Sequence, residues 1–157
     1  ARMPWPDLQR IHGDYHLGQV LVTANDFVII DFEGEPARTF QERRAKGSPL
    51  RDVAGMLRSF NYARWSALRR IAQTTEELER LEPDAKAWES ATRDAFLKAY
   101  VSSLSAKGAA PIDTELLRLF EIEKALYELR YELNNRIDWA QVPLQGVLAL
   151  IDSNAAR

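Results

Sequence analysis

The sequence predicts a mainly α-helical domain that carries one small β-hairpin close to its N-terminus. Strand-like runs of β-branched and apolar residues occur only before residue 32, whereas apolar residues after residue 48 recur at helical spacing. The chain has 157 residues, of which 46% are hydrophobic and 28% charged, a size and balance typical of one globular domain. We therefore expect a single domain over residues 1–157, with a hairpin region at 9–36 and a helical part at 48–153.

The hairpin is predicted from two short strands that flank a polar turn. Gln19–Thr23 and Phe27–Asp31 are apolar and β-branched, and Ala24-Asn25-Asp26 between them is a turn signal. Antiparallel pairing of these strands returns Asp31, at the end of the hairpin, to the neighbourhood of Gln19 at its start.

Capping and proline signals mark the starts of the helices. Ser48 before Pro49 predicts an N-cap and a first helical residue, and Asp113 predicts another N-cap. The expected elements are an extended lead-in at Pro4-Trp5-Pro6, a short strand at Gln9–His12, a loop at 33–48, a helix from Pro49 to Ile71, a charged connection or short helix at 74–83, and helices from Pro83 to before Gly108, over Thr114–Asn134 and over Leu144–Ile151. The expected core stripe of the Thr114 helix is Leu116/Leu117, Phe120, Ala125/Leu126, Leu129 and Leu133.

The composition excludes several classes of protein. The formal net charge of −2 gives no general attraction to nucleic acid or to an anionic membrane. No apolar run approaches the ~18 residues that span a bilayer, and no signal peptide is visible. The chain has no Cys, which excludes disulfides and thiolate metal sites and fits a reducing compartment. We expect a cytoplasmic protein that binds neither nucleic acid nor membranes.

The strongest chemical signal is a polar loop followed by the hairpin. Asp14 suits a general base that orients and deprotonates an acceptor hydroxyl, although a lone Asp in a loop is more often a turn residue. Gln19 and Asp31 add amide and carboxylate oxygens of the kind that hold Mg²⁺ against nucleotide phosphates. Asp31 ends an apolar strand that we expect to be buried, where a cation would offset an unpaired carboxylate. Together the three residues predict a phosphoryl-transfer centre.

Other polar residues near this loop have two interpretations each. Glu33 and Glu35 could add a metal ligand or bind a sugar hydroxyl, or they could form a solvated acidic loop. His12 is expected to be packed and to donate to backbone, and His16 is a candidate substrate contact. Asp52, in the first turn of its helix, either favours the helix dipole or accepts hydrogen bonds from backbone amides of the loop.

A third polar cluster lies at 127–136. Tyr127 and Tyr131 are four residues apart, as are Glu128 and Glu132, so each pair shares one helical face. Acids and tyrosines, with an Asn and an Arg at the helix end, suit a polyhydroxylated ligand. Spacing alone favours an ordinary amphipathic helix with ion pairs such as Lys124–Glu128.

Four blocks of this sequence resemble a known group of kinases. The pattern His12-Gly13-Asp14-x-His16-x-x-Gln19 with Asp31-Phe32-Glu33 is similar to the catalytic and metal motifs of aminoglycoside-phosphotransferase-like kinases, which share the protein-kinase fold. More narrowly, the blocks resemble bacterial maltokinases, in particular the module fused to trehalose synthase. They are His12–Leu21, Asp31–Pro36, Ser48–Phe60 and Glu123–Arg136. The resemblance implies the C-terminal lobe of that fold.

The resemblance also implies a reaction and a set of roles. The reaction is ATP-dependent, Mg²⁺-supported phosphorylation of maltose to maltose 1-phosphate, with a trehalose synthase domain as a possible partner. Asp14 would be the catalytic base, Gln19 and Asp31 the Mg²⁺ ligands, and His12 and Asp52 structural supports of the loop. The implied maltose-site candidates are His16, Glu33, Tyr131, Glu132, Asn135 and Arg136.

The N-terminal half of that family has no counterpart in this sequence. Its nucleotide-covering loop is absent, and the seven glycines form no phosphate-binding motif. We therefore expect the isolated chain to have little or no kinase activity. Two different hypotheses compete with a maltokinase lobe. One is another small-molecule kinase of the same fold, acting on an aminoglycoside, choline or homoserine, and the other is a non-catalytic helical module that docks on a partner.

Overall fold

A computed structural model describes residues 8–155, and the expected extended lead-in at 4–6 lies outside them. The elements are β1 (Val20–Val22), β2 (Phe27–Ile29), α1 (Phe40–Arg44), α2 (Leu50–Ile71), α3 (Thr75–Ala106), α4 (Thr114–Asn135) and α5 (Gln141–Ala155), with 3₁₀ turns at Leu17–Gln19 and Ile137–Trp139. The prediction of a mainly helical chain with one small antiparallel sheet is confirmed. Within residues 8–155, no helix is long and apolar enough to cross a membrane.

The hairpin forms between the expected segments. Strands β1 and β2 pair antiparallel, with Leu21 opposite Val28 at the centre of the register. The strand expected at Gln9–His12 is wrong in extent, because that segment makes only one isolated bridge, between Gln9 and Gly47.

The hairpin presents its apolar side chains to solvent. Val22 is 78% exposed and Phe27 is 65% exposed, because a two-stranded sheet needs a covering layer to bury its faces. Asp31 is also exposed. The expectation that Asp31 ends a buried strand is therefore wrong, and burial gives no argument for a cation there.

Helix α2 lies at the centre of the helical part. Its buried apolar residues recur at helical spacing, at Leu50, Val53, Ala54, Leu57 and Phe60, and Leu57 has no exposed surface. Helices α3 and α4 pack against α2, and α5 packs against α4. The core cluster consists of Leu50, Val53, Ala54, Met56, Leu57, Phe60 and Leu117.

The segment that precedes α2 differs from the prediction in two details. The expected loop contains α1, which begins with a capping box: Thr39 Oγ1 accepts from the backbone N of Glu42, and the Thr39 backbone N donates to the Glu42 carboxylate at 2.8 Å. Helix α2 begins at Leu50 rather than at Pro49. Ser48 is not the N-cap, although its Oγ accepts from the Leu50 N at 3.3 Å.

The boundaries of α3 and α5 also differ. The prediction of a new helix at Pro83 is wrong, because α3 starts after the N-cap Thr74 and continues through the proline. The cap and the packing of α3 against α2 outweigh the hydrogen bond that Pro83 cannot make. Helix α5 begins at Gln141 rather than at Leu144, and Pro143 lies in its first turn, where a missing N–H costs little.

Helix α4 has the expected bounds within one residue, but its buried face is partly polar. Ala125 is buried as expected, whereas Leu126 and Leu133 are more than half exposed, so their assignment to the core is wrong. Glu121 and Glu132 are buried instead. The helix turns these acids inward because cationic side chains meet them there.

Candidate functional site

The loop that carries Asp14 is fixed by hydrogen bonds at its base. Asp52 of α2 accepts from the backbone N of His12 at 2.7 Å and of Gly13 at 2.9 Å. The buried His12 ring bonds the Ile30 carbonyl through Nε2 at 2.7 Å, and its Nδ1 accepts from the Asp14 backbone N at 3.3 Å. The hydrogen bonds expected of Asp52 and His12 are therefore present, and they join the loop to both α2 and the hairpin.

Two glycines permit the tight course of this loop. Gly13 has a φ of +86°, a conformation that other residues rarely adopt. Gly55 of α2 faces the Tyr15 carbonyl oxygen so closely that an added Cβ would lie 2.5 Å from it. The loop backbone therefore lies directly on the surface of α2.

The hairpin brings Gln19 and Asp31 together, as predicted. Gln19 Nε2 donates to Asp31 Oδ2 at 2.9 Å, and the Gln19 carbonyl accepts from the backbone N of Ile30 at 3.0 Å. Asp31 has a φ of +64°, in the left-handed region that Asp tolerates better than most residues. The amide oxygen of Gln19 and the carboxylate of Asp31 are ligand types that could hold Mg²⁺ together with water and phosphate. No group of three or more His, Cys, Asp or Glu side chains within the described part of the chain is arranged to hold a metal.

Asp14 meets a lysine from α4. Lys124 Nζ lies 3.2 Å from Asp14 Oδ1 and 2.8 Å from Glu35 Oε2. The Tyr127 hydroxyl donates to the other Glu35 oxygen at 2.8 Å. On the far side of the carboxylate, His16 Nε2 lies 3.9 Å from Asp14 Oδ2. Lys124 is thus paired with this acidic site and not with the neighbour on its own helix that spacing suggested.

Charge and burial set the protonation of this cluster. Burial acts to lower the pKa of Lys124, but the nearby Asp14 and Glu35 carboxylates outweigh it and the pKa is raised. Burial and the hydrogen bond to Glu35 raise the pKa of Tyr127 to about 12. At neutral pH, Lys124 is therefore an ammonium ion and Tyr127 is a neutral donor.

One turn along α4, Glu128 pairs with Arg58 of α2. Arg58 Nε and Nη2 lie 2.9 and 2.8 Å from Glu128 Oε2. The guanidinium is buried against Gly146 of α5, where a Cβ would overlap it. Burial raises the pKa of Glu128, and Arg58 partly offsets this effect.

The next turn carries Glu132, which is only 1% exposed. Its carboxylate accepts from Arg136 Nε at 2.9 Å and Nη2 at 2.6 Å, and from the Tyr62 hydroxyl at 3.1 Å. Burial, followed by the charges of Glu128 and Glu132, raises the pKa of Tyr62. The Tyr62 ring is stacked with Trp139 at 6.4 Å between centroids.

These residues surround a cleft of about 710 Å³ between the loop, α2 and α4. Of the sequence candidates, those that line it are Asp14, His16, Tyr131, Glu132 and Arg136. Glu33 is exposed and lies 3.9 Å from Arg43, and Asn135 donates to the Tyr131 carbonyl at 2.8 Å. Neither residue lines the cleft, and Gln19 and Asp31 lie outside it as well.

The maltose-site candidates implied by the resemblance leave out five lining residues: Glu35, Tyr62, Lys124, Tyr127 and Glu128. The sequence allows Glu35, Tyr127 and Glu128 as ligand contacts, whereas it gives Tyr62 and Lys124 no such role. A usable signal was present for part of this set. Lys124, Glu128 and Glu132 follow one another at intervals of four, which places three charges on one helical face. For Glu35, the sequence allows both a ligand contact and a solvated loop, and the structure places it in the cleft wall.

Comparison with known proteins supports a sugar-kinase fold. No profile of a known protein family matches the chain. The chain is 28% identical over 134 residues to a glucosamine kinase of Streptacidiphilus jiangxiensis and 30% identical over 147 residues to one of Mycolicibacterium smegmatis (strain ATCC 700084 / mc(2)155). These alignments cover 85% and 92% of the chain, but only 29% and 35% of the relatives. The chain therefore spans about a third of the length of these curated relatives.

Solved structures give the same result. A glucosamine kinase in complex with glucosamine, ADP and inorganic phosphate superposes with a TM-score of 0.82 at 25% identity, over 95% of this chain and 36% of that one. A second crystal form of a glucosamine kinase gives 0.81 at 26% identity, over 94% and 34%. The chain has the fold of one part of a sugar kinase.

Proposed function

We propose that this chain is the C-terminal, acceptor-binding lobe of an ATP-dependent sugar kinase with a protein-kinase-like fold. One observation carries the proposal: Asp52 and His12 fix a loop that opens Asp14 into a cleft lined by acids and tyrosines. The relatives are named glucosamine kinases, and one solved neighbour contains glucosamine, ADP and phosphate. The nucleotide would bind between this lobe and a second one that this sequence does not include.

In this proposal Asp14 acts as the base. Its Oδ1 is occupied by Lys124, so Oδ2 is the oxygen that receives the proton of the acceptor hydroxyl. Gln19 and Asp31 would hold Mg²⁺, which neutralises charge on the nucleotide phosphates. Asp52 keeps the loop in place and does not touch the substrates.

The cleft suits a hydroxylated acceptor. Its volume falls within the usual range for small-molecule sites. The carboxylates of Glu35 and Glu128 can accept from sugar hydroxyls, and the Tyr131 ring can pack on the C–H face of a sugar. We propose an amino sugar of the glucosamine type as the acceptor, because the relatives carry that name. Maltose remains the second candidate, because the four sequence blocks resemble maltokinases.

The test is phosphoryl transfer by the polypeptide that joins this chain to its nucleotide-binding lobe. ADP release is measured with glucosamine and with maltose, and the phosphorylated product is identified by mass spectrometry. Asp14→Asn should lower kcat by at least about 100-fold with an unchanged circular dichroism spectrum. Asp84→Asn, at an exposed position of α3 outside the cleft, is the matched control and should retain activity. Near-normal turnover by Asp14→Asn would exclude Asp14 as the base.

The same assay tests the acceptor class and the competing docking role. The isolated 157-residue chain should transfer little phosphate, because half of the nucleotide site is missing. Turnover with choline, homoserine or an aminoglycoside, but with neither sugar, would refute the acceptor class. Absence of transfer to any of these acceptors by the joined polypeptide would favour a non-catalytic docking module.

A further inference from the structure

Two carboxylates from different segments share one ammonium group beside the proposed base. Lys124 Nζ lies 3.2 Å from Asp14 and 2.8 Å from Glu35, so the two acidic oxygens lie within about 6 Å of each other, where like charges repel. The Lys124 side chain is three-quarters buried, with 24% of its surface exposed. Water therefore has little access to this site to screen the two carboxylates from each other in place of the ammonium group.

Within residues 8–155, Lys124 and His16 are the cationic side chains that the structure places within 4 Å of the Asp14 carboxylate. His16 approaches from the loop at 3.9 Å, and its Nδ1 accepts the backbone N–H of Gly18 at 3.0 Å. From α4 come Lys124 and the Tyr127 hydroxyl, and the latter is bonded to Glu35. From the segment after β2 comes the negative charge of Glu35. Arg38 and Arg43 of that segment and Arg51 of α2 also line a cavity that reaches Asp14, but they pair with Glu123 and Glu33.

We propose that Lys124 is a positioning residue for Asp14: its ammonium group clamps the Asp14 and Glu35 carboxylates side by side and leaves Asp14 Oδ2 for the acceptor hydroxyl. The role as a base rests on the proposed function, whereas the clamp itself does not. Without the ammonium, the two carboxylates lose the group that holds them together, and their like charges repel each other. Tyr127 assists by holding the second oxygen of Glu35.

The clamp is tested first by a double-mutant cycle on the 157-residue chain, which needs no kinase activity. Unfolding in urea is compared for the unsubstituted chain, Lys124→Met, Asp14→Asn and the double variant. We expect at least tenfold coupling in the unfolding equilibrium constant. Lys98→Met, at an exposed lysine of α3, is the control and should be additive with Asp14→Asn. If the effects of Lys124→Met and Asp14→Asn on the free energy of unfolding were additive, the clamp would be refuted.

The positioning role is tested by kinetics of the polypeptide that carries both lobes. Lys124→Met should lower kcat by about 100-fold while KM for ATP changes less than about threefold. The pH–rate profile should also change, because the cation that faces Asp14 is gone. Lys124→Arg, which keeps the charge, should recover much of kcat and restore the profile. If Lys124 only supported the fold, its replacement would lower the amount of active protein but leave the pH–rate profile unchanged.

The two experiments separate this inference from the proposed function. Coupling in the cycle, together with no phosphate transfer by the unsubstituted protein, would refute the kinase function and leave the clamp standing. Transfer by the unsubstituted protein with an unchanged kcat and pH profile in Lys124→Met would refute the positioning role and leave the kinase function standing.

Discussion

Gly146→Ala should destabilise the protein, although alanine is the better helix former. Replacing a glycine within a helix by alanine normally stabilises by about 1 kcal/mol. Here the new Cβ would overlap the Arg58 guanidinium, whose side chain is 4% exposed and which holds the largely buried Glu128. Separating a buried ion pair costs about 3–5 kcal/mol. The difference predicts a loss of about 2–4 kcal/mol in the free energy of unfolding.

The assay is urea denaturation followed by circular dichroism, with the midpoint and slope fitted for each variant. The matched control places the same substitution in an Arg58→Met background. The methionine side chain can bend away from the new methyl group. In that background, Gly146→Ala should therefore leave the free energy of unfolding unchanged or raise it by up to about 1 kcal/mol. A Gly146→Ala protein as stable as the parent would show that α5 moves aside without disturbing Arg58, which would refute this reasoning.

Two further predictions concern the loop and the tyrosine beside it. Gly55→Ala brings a methyl group to 2.5 Å from the Tyr15 carbonyl oxygen, which belongs to the loop backbone. We therefore expect kcat of the polypeptide that carries both lobes to fall at least about tenfold, with helix content unchanged. An unchanged kcat would contradict this prediction. Tyr127 has its pKa raised from 10.0 to about 12, so its stabilising contribution is complete below pH 10.0 and is lost as pH rises towards 12. In urea denaturation, the Tyr127→Phe variant should therefore have a lower free energy of unfolding than the unsubstituted chain at pH 7, and this difference should shrink towards pH 12. A difference that stays constant with pH would contradict the raised pKa of Tyr127.

The parts of the site that could be predicted from sequence depend on local geometry. Antiparallel pairing across a short turn returns Asp31 to Gln19 whatever the rest of the chain does. The hydrogen bonds of Asp52 were expected as one of two interpretations, because an acid in a first helical turn can reach backbone amides beyond its own helix. In each case a few neighbouring residues determine the contact.

The parts that could not be predicted depend on distant segments. Lys124 and Asp14 are 110 residues apart, and helical spacing indicates only neighbours on the same helix, so it suggested Glu128 instead. The exposure of the hairpin has a similar cause, since apolar strands are buried only where another layer covers them. The continuity of α3 through Pro83 reflects packing against α2, which outweighs a local helix-breaking signal.

Stability alone does not explain the charged inward face of α4. Lys124, Glu128 and Glu132 succeed one another by one turn, and each pairs with a group from another part of the chain or from the helix end. Buried ion pairs contribute little net stability compared with apolar residues of the same size, because desolvation offsets their attraction. A helix that served only the core would be expected to place apolar residues at these positions. The three charges instead line the cleft beside Asp14, which is the position that the proposed acceptor-binding role requires.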